Sequence, residues 1–218
     1  SEIGLPFSAN SSPETITERN AGLLKKAGAR LVGLGLESGL ESIRGEILGR
    51  PTSDEAIIAA TSRLKAVGIQ VQTFNMLGAP GETLEQALET LAFNQRVGAD
   101  RVRATLAWPM PGSAMHRAAL ERGLPEDLHQ ASKGTMRAVC AEDRAPFESL
   151  AALFRLAAVS GLPPRLAGSL ARRIPVGMLR PLTLFDAFQE LRWSGVGIAA
   201  GLSYAAQAGR PVHRVTYH

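Results

Sequence analysis

Apolar positions along the first 125 residues alternate between helical spacing and continuous β-rich runs. Ser12, followed by proline and glutamate, has the features of a helix start, and Gly28 marks the predicted helix end. The apolar face of this helix comprises Ile16, Leu23, Leu24 and Ala27. Residues 31–36 then predict a buried strand, and residues 3–7 are interpreted as the end of an earlier one.

Two further helix-and-strand units follow in the same order. Thr52 and Thr83 each begin a capping-box pattern, with glutamate or glutamine three residues later, and predict helix starts. Gly68 and Gly98 are the predicted helix ends. The strands predicted after these helices are residues 69–77 and 102–108.

Strands that alternate with helices of this length need crossover connections, so the predicted fold class is α/β with a parallel sheet. Four strands are too few to close a barrel. Parallel strands would direct three loops rich in glycine and proline toward one edge, where bare backbone can approach a ligand. These loops are GLESG at 35–39, GAPGE at 78–82 and PMPGS at 109–113.

The pattern beyond residue 123 predicts a mainly helical C-terminal region. Residues 147–160 have helical spacing, and Pro163-Pro164 ends that helix. Two more helices are predicted at 165–178 and 184–207, and a strand at 212–217. The chain is accordingly divided into residues 1–123 and residues 124–218.

Composition excludes several classes of protein. The chain has 218 residues, 45% of them hydrophobic and 20% charged, which is typical of a globular protein rather than a disordered one. The longest nearly uncharged apolar run, 196–206, is too short to span a bilayer, and no leader-like segment opens the chain, so a cytoplasmic protein is predicted. Cys140 is the single cysteine, and the four histidines lack zinc-site spacing.

Charge is distributed unevenly along the chain. Residues 1–150 have 16 basic and 18 acidic side chains, whereas residues 151–218 have 8 arginines and 2 acidic side chains. An arginine-rich region of this kind is either a solvated helical face or a surface that contacts nucleic acid, and the sequence favours the former.

Four residues in the predicted loops and strands are candidates for ligand contacts. Glu37 follows a hydrophobic strand, where a carboxylate is either solvated at the edge or paired with a cation such as a ligand ammonium. Arg50 is either a cation at a helix end or an arm that reaches a ligand carboxylate. Phe74 and Asn75 point to opposite faces of their strand, so one of them faces the interior, where an aromatic ring would be core or a wall for a heterocycle.

Three segments closely resemble the latter half of the core of radical S-adenosylmethionine (SAM) enzymes, especially the cobalamin-associated branch. They read KKAGARLVGLGLESGLESIRGEILGRPT, LKAVGIQVQTFNMLGAPGET and WPMPGSAMHRAALERG, with Pro6, Phe7 and Asn10 at an early strand end. The resemblance covers residues 1–123. It implies that residues 1–123 form an incomplete parallel (β/α) partial barrel, part of a fold that holds SAM and a [4Fe-4S] cluster. In that family the cluster reduces SAM and releases a 5′-deoxyadenosyl radical, which abstracts a hydrogen from the substrate.

The resemblance also implies a set of SAM contacts. Glu37 would lie near the methionine amino group or the ribose, Arg50 near the methionine carboxylate, and residues 74–78 beside the adenine. The residues predicted to bind the cofactor are Glu37, Ser38, Arg50, Phe74, Asn75, Gly78, Pro80 and Pro111.

The cluster-binding loop of that family, C-x-x-x-C-x-x-C, does not occur in this chain. The first residue is Ser1, and the match begins near the third strand of the family's barrel. We therefore expect that the chain is the C-terminal portion of a larger enzyme, with the cluster cysteines and any cobalamin-binding domain upstream of Ser1. The chain alone would then be inactive, with an exposed sheet edge that depends on the missing half.

Two alternatives remain at this point. The chain could be a noncatalytic α/β module that binds a nucleotide or acts as a scaffold. It could also belong to a tRNA-modifying radical SAM enzyme whose arginine-rich tail contacts phosphates. A small-molecule substrate is favoured, although no motif identifies the molecule.

Overall fold

The computed structural model describes residues 6–123, 144–179 and 181–182. Ser1–Val176 form one compact unit, to which all the elements below belong, and Gly177–His218 form a second. Cys140 and the elements predicted at 184–207 and 212–217 lie outside the described residues.

Four parallel strands form the sheet, in the same order in space as in the chain. They are β1 (Phe7–Ser11), β2 (Ala29–Glu37), β3 (Gln70–Leu77) and β4 (Arg101–Leu106). The helices are α1 (Glu18–Ala27), α2 (Asp54–Ala66), α3 (Leu84–Val97), α4 (Ala114–Glu121), α5 (Arg144–Ser160) and α6 (Pro164–Arg173). The predicted α/β class and incomplete parallel (β/α) barrel are confirmed, as is the helical character of the described C-terminal part.

Two predicted helix starts are wrong by a few residues. Ser12 precedes only a short 3-10 turn, and α1 is capped by Thr17, whose hydroxyl accepts from the Asn20 amide. Ser53, rather than Thr52, caps α2, because the Thr52 hydroxyl donates to the Glu14 carboxylate instead. Both segments offer more than one capping residue, and the sequence pattern does not select between them.

The capping box predicted for α3 is present. The Thr83 hydroxyl accepts from the Gln86 amide, and the Gln86 side chain accepts from the Thr83 amide. This helix ends at Gly98, which adopts the left-handed conformation expected at a helix C-terminus.

The first strand is displaced from its predicted position. We predicted a strand end at residues 3–7, of which 3–5 lie outside the described residues, and β1 is Phe7–Ser11. The sequence FSANS is polar and mostly exposed, so it lacks the hydrophobic signal of a strand. Pairing with β2, from Ser8 beside Leu31 to Ser11 beside Leu34, provides the hydrogen bonds that stabilise it.

Helices pack on one face of the sheet. Val32 and Leu34 of β2 are buried against α1 and α2, and Val102 of β4 belongs to a core with α3, α5 and α6. The C-terminal helices α5 and α6 thus extend the same core, while the division between residues 1–123 and 124–218 stays a prediction. None of the helices in the described parts of the chain is long and apolar enough to cross a membrane.

Candidate functional site

A cleft of about 650 Å³ lies on the face of the sheet opposite the helices. Residues from β1, β2 and β3 form its floor, and the segment from Arg44 to Thr52 forms its wall. The principal lining residues are Asn10, Gly33, Gly35, Glu37, Arg50 and Phe74. The volume falls within the range of small-molecule sites in proteins, about 300–1,000 Å³.

The floor of the cleft needs glycine at two positions of β2. A Cβ at Gly33 would lie 2.5 Å from both Asn10 Oδ1 and Phe74 Cε2, and one at Gly35 would lie 2.7 Å from Glu37 Oε1. These distances are shorter than van der Waals contact, so a side chain at either position would displace the residues that line the cleft.

A β-bulge directs Glu37 into the cleft. The β2–β3 register changes between Gly35, which lies beside Phe74, and Glu37, which lies beside Asn75. Glu37 itself has φ of 66°, a left-handed conformation that costs a non-glycine residue about 1–3 kcal/mol. Such backbone strain is typical of functional positions, because the surrounding contacts must hold it in place.

Glu37 forms an ion pair with Arg50 across the cleft. The carboxylate Oε1 accepts from Arg50 Nη1, and the glutamate is buried whereas the arginine is exposed. Burial raises the pKa of the Glu37 carboxyl, and the Arg50 guanidinium opposes this rise. The two charges that we singled out separately in the sequence therefore face each other at the same site.

Arg44, which the sequence did not identify, holds the wall of the cleft. Its side chain is fully buried. The guanidinium donates from Nε to the Thr52 carbonyl (2.7 Å), from Nη1 to the Ser38 carbonyl (2.6 Å) and from Nη2 to Asp54 Oδ1 (2.6 Å). It thereby fixes the backbone on both sides of the Glu37–Arg50 pair. No local pattern separates this arginine from an exposed one, because its partners lie up to ten residues away in sequence.

Arg44 belongs to an irregular helical turn that packs beside the three predicted loops. This turn, Ile43–Ile47, has π-helical hydrogen bonding. Its apolar residues and Leu48 pack with Ala79 of the second loop, and with residues that lie directly before and after the third loop, in a cluster that comprises Ile43, Ile47, Leu48, Ala79, Ala107, Met115 and Ala118. The first loop also meets α3, where the Gly39 amide donates to the Thr90 hydroxyl at 2.9 Å. The three loops therefore lie at one edge of the sheet.

The small residues of the second loop are explained by the backbone conformation and the hydrogen bonds of the loop itself. Gly78 and Gly81 both have φ of 79°, which favours glycine. The Gly78 and Ala79 amides donate to Glu82 Oε2 at 2.5 and 2.9 Å, while Glu82 Oε1 is buried without a partner among the described residues. Burial raises the pKa of Glu82 to about 7, against the opposing effect of these two amides.

The predicted cofactor-binding residues divide into two groups. Glu37, Arg50 and Phe74 line the cleft. The other five do not belong to its lining: Ser38, Asn75, Gly78 and Pro80, which are buried, and Pro111, which is exposed. Their contact with a cofactor stays a prediction.

Asn75 lies on the opposite face of β3 from Phe74, as strand alternation requires. Its Oδ1 accepts from Asn94 Nδ2 at 2.8 Å, and its Nδ2 donates to the Arg103 carbonyl at 3.0 Å. Thr73 completes this buried network by donating to Asn94 Oδ1 at 2.6 Å. Phe74 is therefore the member of the pair that faces the cleft, and Asn75 links β3 to α3 through its hydrogen bond with Asn94.

Replacement of the buried guanidinium tests the wall of the cleft. The substitution Arg44→Met keeps the side-chain volume but leaves the Ser38 and Thr52 carbonyls without their donor. We expect the free energy of unfolding to fall by about 3 kcal/mol, because buried polar groups lose their partner. Denaturant titration measures this loss, with the exposed Arg19→Met as the matched control. A change below about 1 kcal/mol would contradict the structural role.

Glu82 makes stability depend on pH in a defined window. The folded state keeps the proton up to pH about 7, whereas the unfolded chain releases it near the ordinary value of 4.5. The folded state thus binds more protons between these values, and stability falls as the pH rises through them, by roughly 3 kcal/mol in total from this group. Denaturant titrations at pH 5 and pH 8 should show that Glu82→Gln removes this decline. The exposed Glu89→Gln should retain it, and equal slopes for both variants would refute the assignment.

Comparisons with known proteins agree with this architecture. Residues 1–93 match the family model described as the radical SAM superfamily. An uncharacterized methyltransferase from Pyrococcus horikoshii is 25% identical over 158 residues, which are 72% of this chain and 34% of that protein. The chain therefore spans about a third of the length of this relative.

Solved structures of radical SAM enzymes also align with the chain. Coproporphyrinogen III oxidase from Escherichia coli has 19% identity and a TM-score of 0.47, over 52% of this chain and 26% of that one. The radical SAM methyltransferase TsrM from Kitasatospora setae, with tryptophan substrate and a SAM analogue bound, has 21% identity and a TM-score of 0.49, over 54% and 23%. The segment that matches the radical SAM superfamily model, residues 1–93, contains β1, β2, β3 and the whole lining of the cleft.

Proposed function

We propose that this chain supplies the SAM-binding part of a radical SAM enzyme, and that the cleft beside Glu37 and Arg50 is the binding site. The observation that carries the proposal is the ion pair between buried Glu37, at the end of β2, and exposed Arg50, within the segment that matches the family model. The ion pair lies in a cleft of about 650 Å³ whose lining includes the aromatic ring of Phe74, and this volume leaves room for a flat heterocycle.

The Glu37–Arg50 pair suits a ligand with an amino-acid group. The methionine part of SAM has an ammonium and a carboxylate on one carbon atom. Glu37 would accept from the ammonium and Arg50 would donate to the carboxylate, so both side chains would exchange one charged partner for another. Such an exchange keeps the buried Glu37 carboxylate paired, which avoids the cost of an isolated buried charge.

Phe74 suits the adenosine part of the ligand. Its ring lines the cleft and packs against Gly33, where the absence of a Cβ lets the ring approach the strand closely. Asn10 Oδ1 approaches the same point from β1 and could accept from a hydroxyl or amino group. These residues would orient the nucleoside, while the bulge at Glu37 fixes its distance from the methionine group.

The residues of this chain do not fit a [4Fe-4S] cluster. Such a cluster is held by cysteine thiolates, and the sequence contains only Cys140. Among the described residues, no group of three or more His, Cys, Asp or Glu side chains is placed to hold a metal ion. Reductive chemistry on SAM would therefore need thiolates from another polypeptide segment, and this chain would bind and orient the SAM molecule.

We further propose methyl transfer to a small molecule as the reaction of the intact protein. The support is the name of the Pyrococcus horikoshii relative, a methyltransferase that this chain matches over 72% of its own length. Cobalamin as an additional cofactor stays a prediction from the sequence resemblance. The noncatalytic alternative makes a different prediction, since a module without SAM affinity would fail the titration below.

Isothermal titration with S-adenosylhomocysteine and SAM tests the binding site directly. We expect Glu37→Gln and Arg50→Gln each to weaken binding about tenfold or more, because each removes a charge-assisted hydrogen bond to the methionine group. Adenosine lacks that group, so its affinity should change little in the same variants. The exposed Glu89→Gln and Arg19→Gln serve as matched controls of charge. Equal affinity of wild type and both cleft variants for S-adenosylhomocysteine would overturn the assignment.

Anaerobic reconstitution with iron and sulfide tests the cluster statement. We expect far less than one [4Fe-4S] cluster per chain by absorbance and iron analysis, because a single cysteine cannot replace three thiolates. The Cys140→Ala variant should give the same low iron content. A stoichiometric cluster on the wild-type polypeptide would refute the statement that this chain lacks the ligands.

A further inference from the structure

The inner face of the sheet, on the side of the cleft, continues beyond Phe74 onto β4. Val102, Ala104 and Leu106 of β4 pack in the helical core, so the alternate residues point to the inner face. These alternate residues are Arg101, Arg103 and Thr105. The β3–β4 register places Arg103 directly beside Phe74 and Thr105 beside Met76.

Arg103 is an exposed cation on this inner face. Within the described part of the chain, its guanidinium has no hydrogen bond or ion pair, although its backbone carbonyl accepts from Asn75. The nearby carboxylates have other partners: Glu37 pairs with Arg50, and Asp100 accepts from the Val71 amide and lies 3.8 Å from Lys65. The inner face of β4 therefore presents positive charge that these carboxylates do not neutralise.

The position of Arg103 relative to the cleft is set by the sheet. Gly35, Phe74 and Arg103 are neighbours across β2, β3 and β4. Adjacent strands are about 4.8 Å apart, so Arg103 lies about 10 Å from Gly35, on the far side of the aromatic ring. A SAM molecule against Gly35 and Phe74 would leave Arg103 facing the space beside the nucleoside, where a second molecule would lie.

We propose that Arg103 binds an anionic group of the substrate, either a carboxylate or a phosphate, while SAM occupies the neighbouring cleft. The guanidinium offers paired donors whose geometry matches both kinds of oxyanion. Thr105, one alternate position farther along the same strand, donates its hydroxyl to the Asn75 carbonyl at 3.4 Å, so Arg103 supplies the donors for the anion. The inference rests on the proposed function, because it takes the cleft as the SAM site, and it adds the chemical class of the second ligand.

Small aromatic anions provide the probe, since the substrate is unidentified. Saturation-transfer NMR titrations of the full chain would use benzoate, phenyl phosphate and the neutral benzamide. We expect at least one anion to bind more tightly than benzamide, and the preferred anion identifies carboxylate or phosphate recognition. Arg103→Gln should weaken that binding about tenfold, whereas Arg103→Lys should retain part of it and Arg19→Gln all of it.

A parallel titration separates this proposal from the assignment of the SAM site. Arg103→Gln should bind S-adenosylhomocysteine with the affinity of the wild type. With adenosine filling the SAM site, Arg50→Gln should bind the small anion with the affinity of the wild type. The proposal is overturned if neither anion exceeds benzamide, if Arg103→Gln leaves anion binding unchanged, or if only Arg50→Gln removes it. Failure of S-adenosylhomocysteine to bind the wild type, with anion binding at Arg103 intact, would instead overturn the function proposed for the cleft.

Discussion

The site depends on one buried guanidinium. Arg44 donates to the carbonyls of Ser38 and Thr52, which lie on the two sides of the cleft wall, and its third contact is the carboxylate of Asp54 at the start of α2. A buried cation is stable only with such complete hydrogen bonding. The same bonds hold the backbone next to Glu37, whose left-handed conformation would otherwise relax.

The two faces of the sheet have different roles. The outer face is apolar and continuous with the helices, so it supplies the burial that stabilises the unit. The inner face has glycine at Gly33 and Gly35, an aromatic ring at Phe74 and arginine at Arg103. Because strand residues alternate between faces, one short segment such as QTFN contributes both to the core network and to the cleft.

The second loop shows that a glycine-rich sequence has more than one physical cause. We interpreted its small residues as a surface for a ligand, yet the Gly78 and Ala79 amides already donate to Glu82. The two amides of the loop thus bind a carboxyl oxygen of a side chain in the same loop. Its position beside the turn at Ile43–Ile47 joins it to the cleft wall through apolar packing rather than through the lining of the cleft.

Sequence periodicity alone determined the α/β class, the parallel sheet and the end of α3, because these follow from local spacing, capping and glycine conformation. It also identified Glu37 and Arg50 as unusual charges. Only the tertiary structure paired them, chose Phe74 over Asn75 for the cleft, and placed Asn10 and Arg44 at the site. These placements depend on strand register, on a β-bulge and on contacts between segments that are distant in sequence. No local sequence pattern encodes which partner a buried polar side chain will contact.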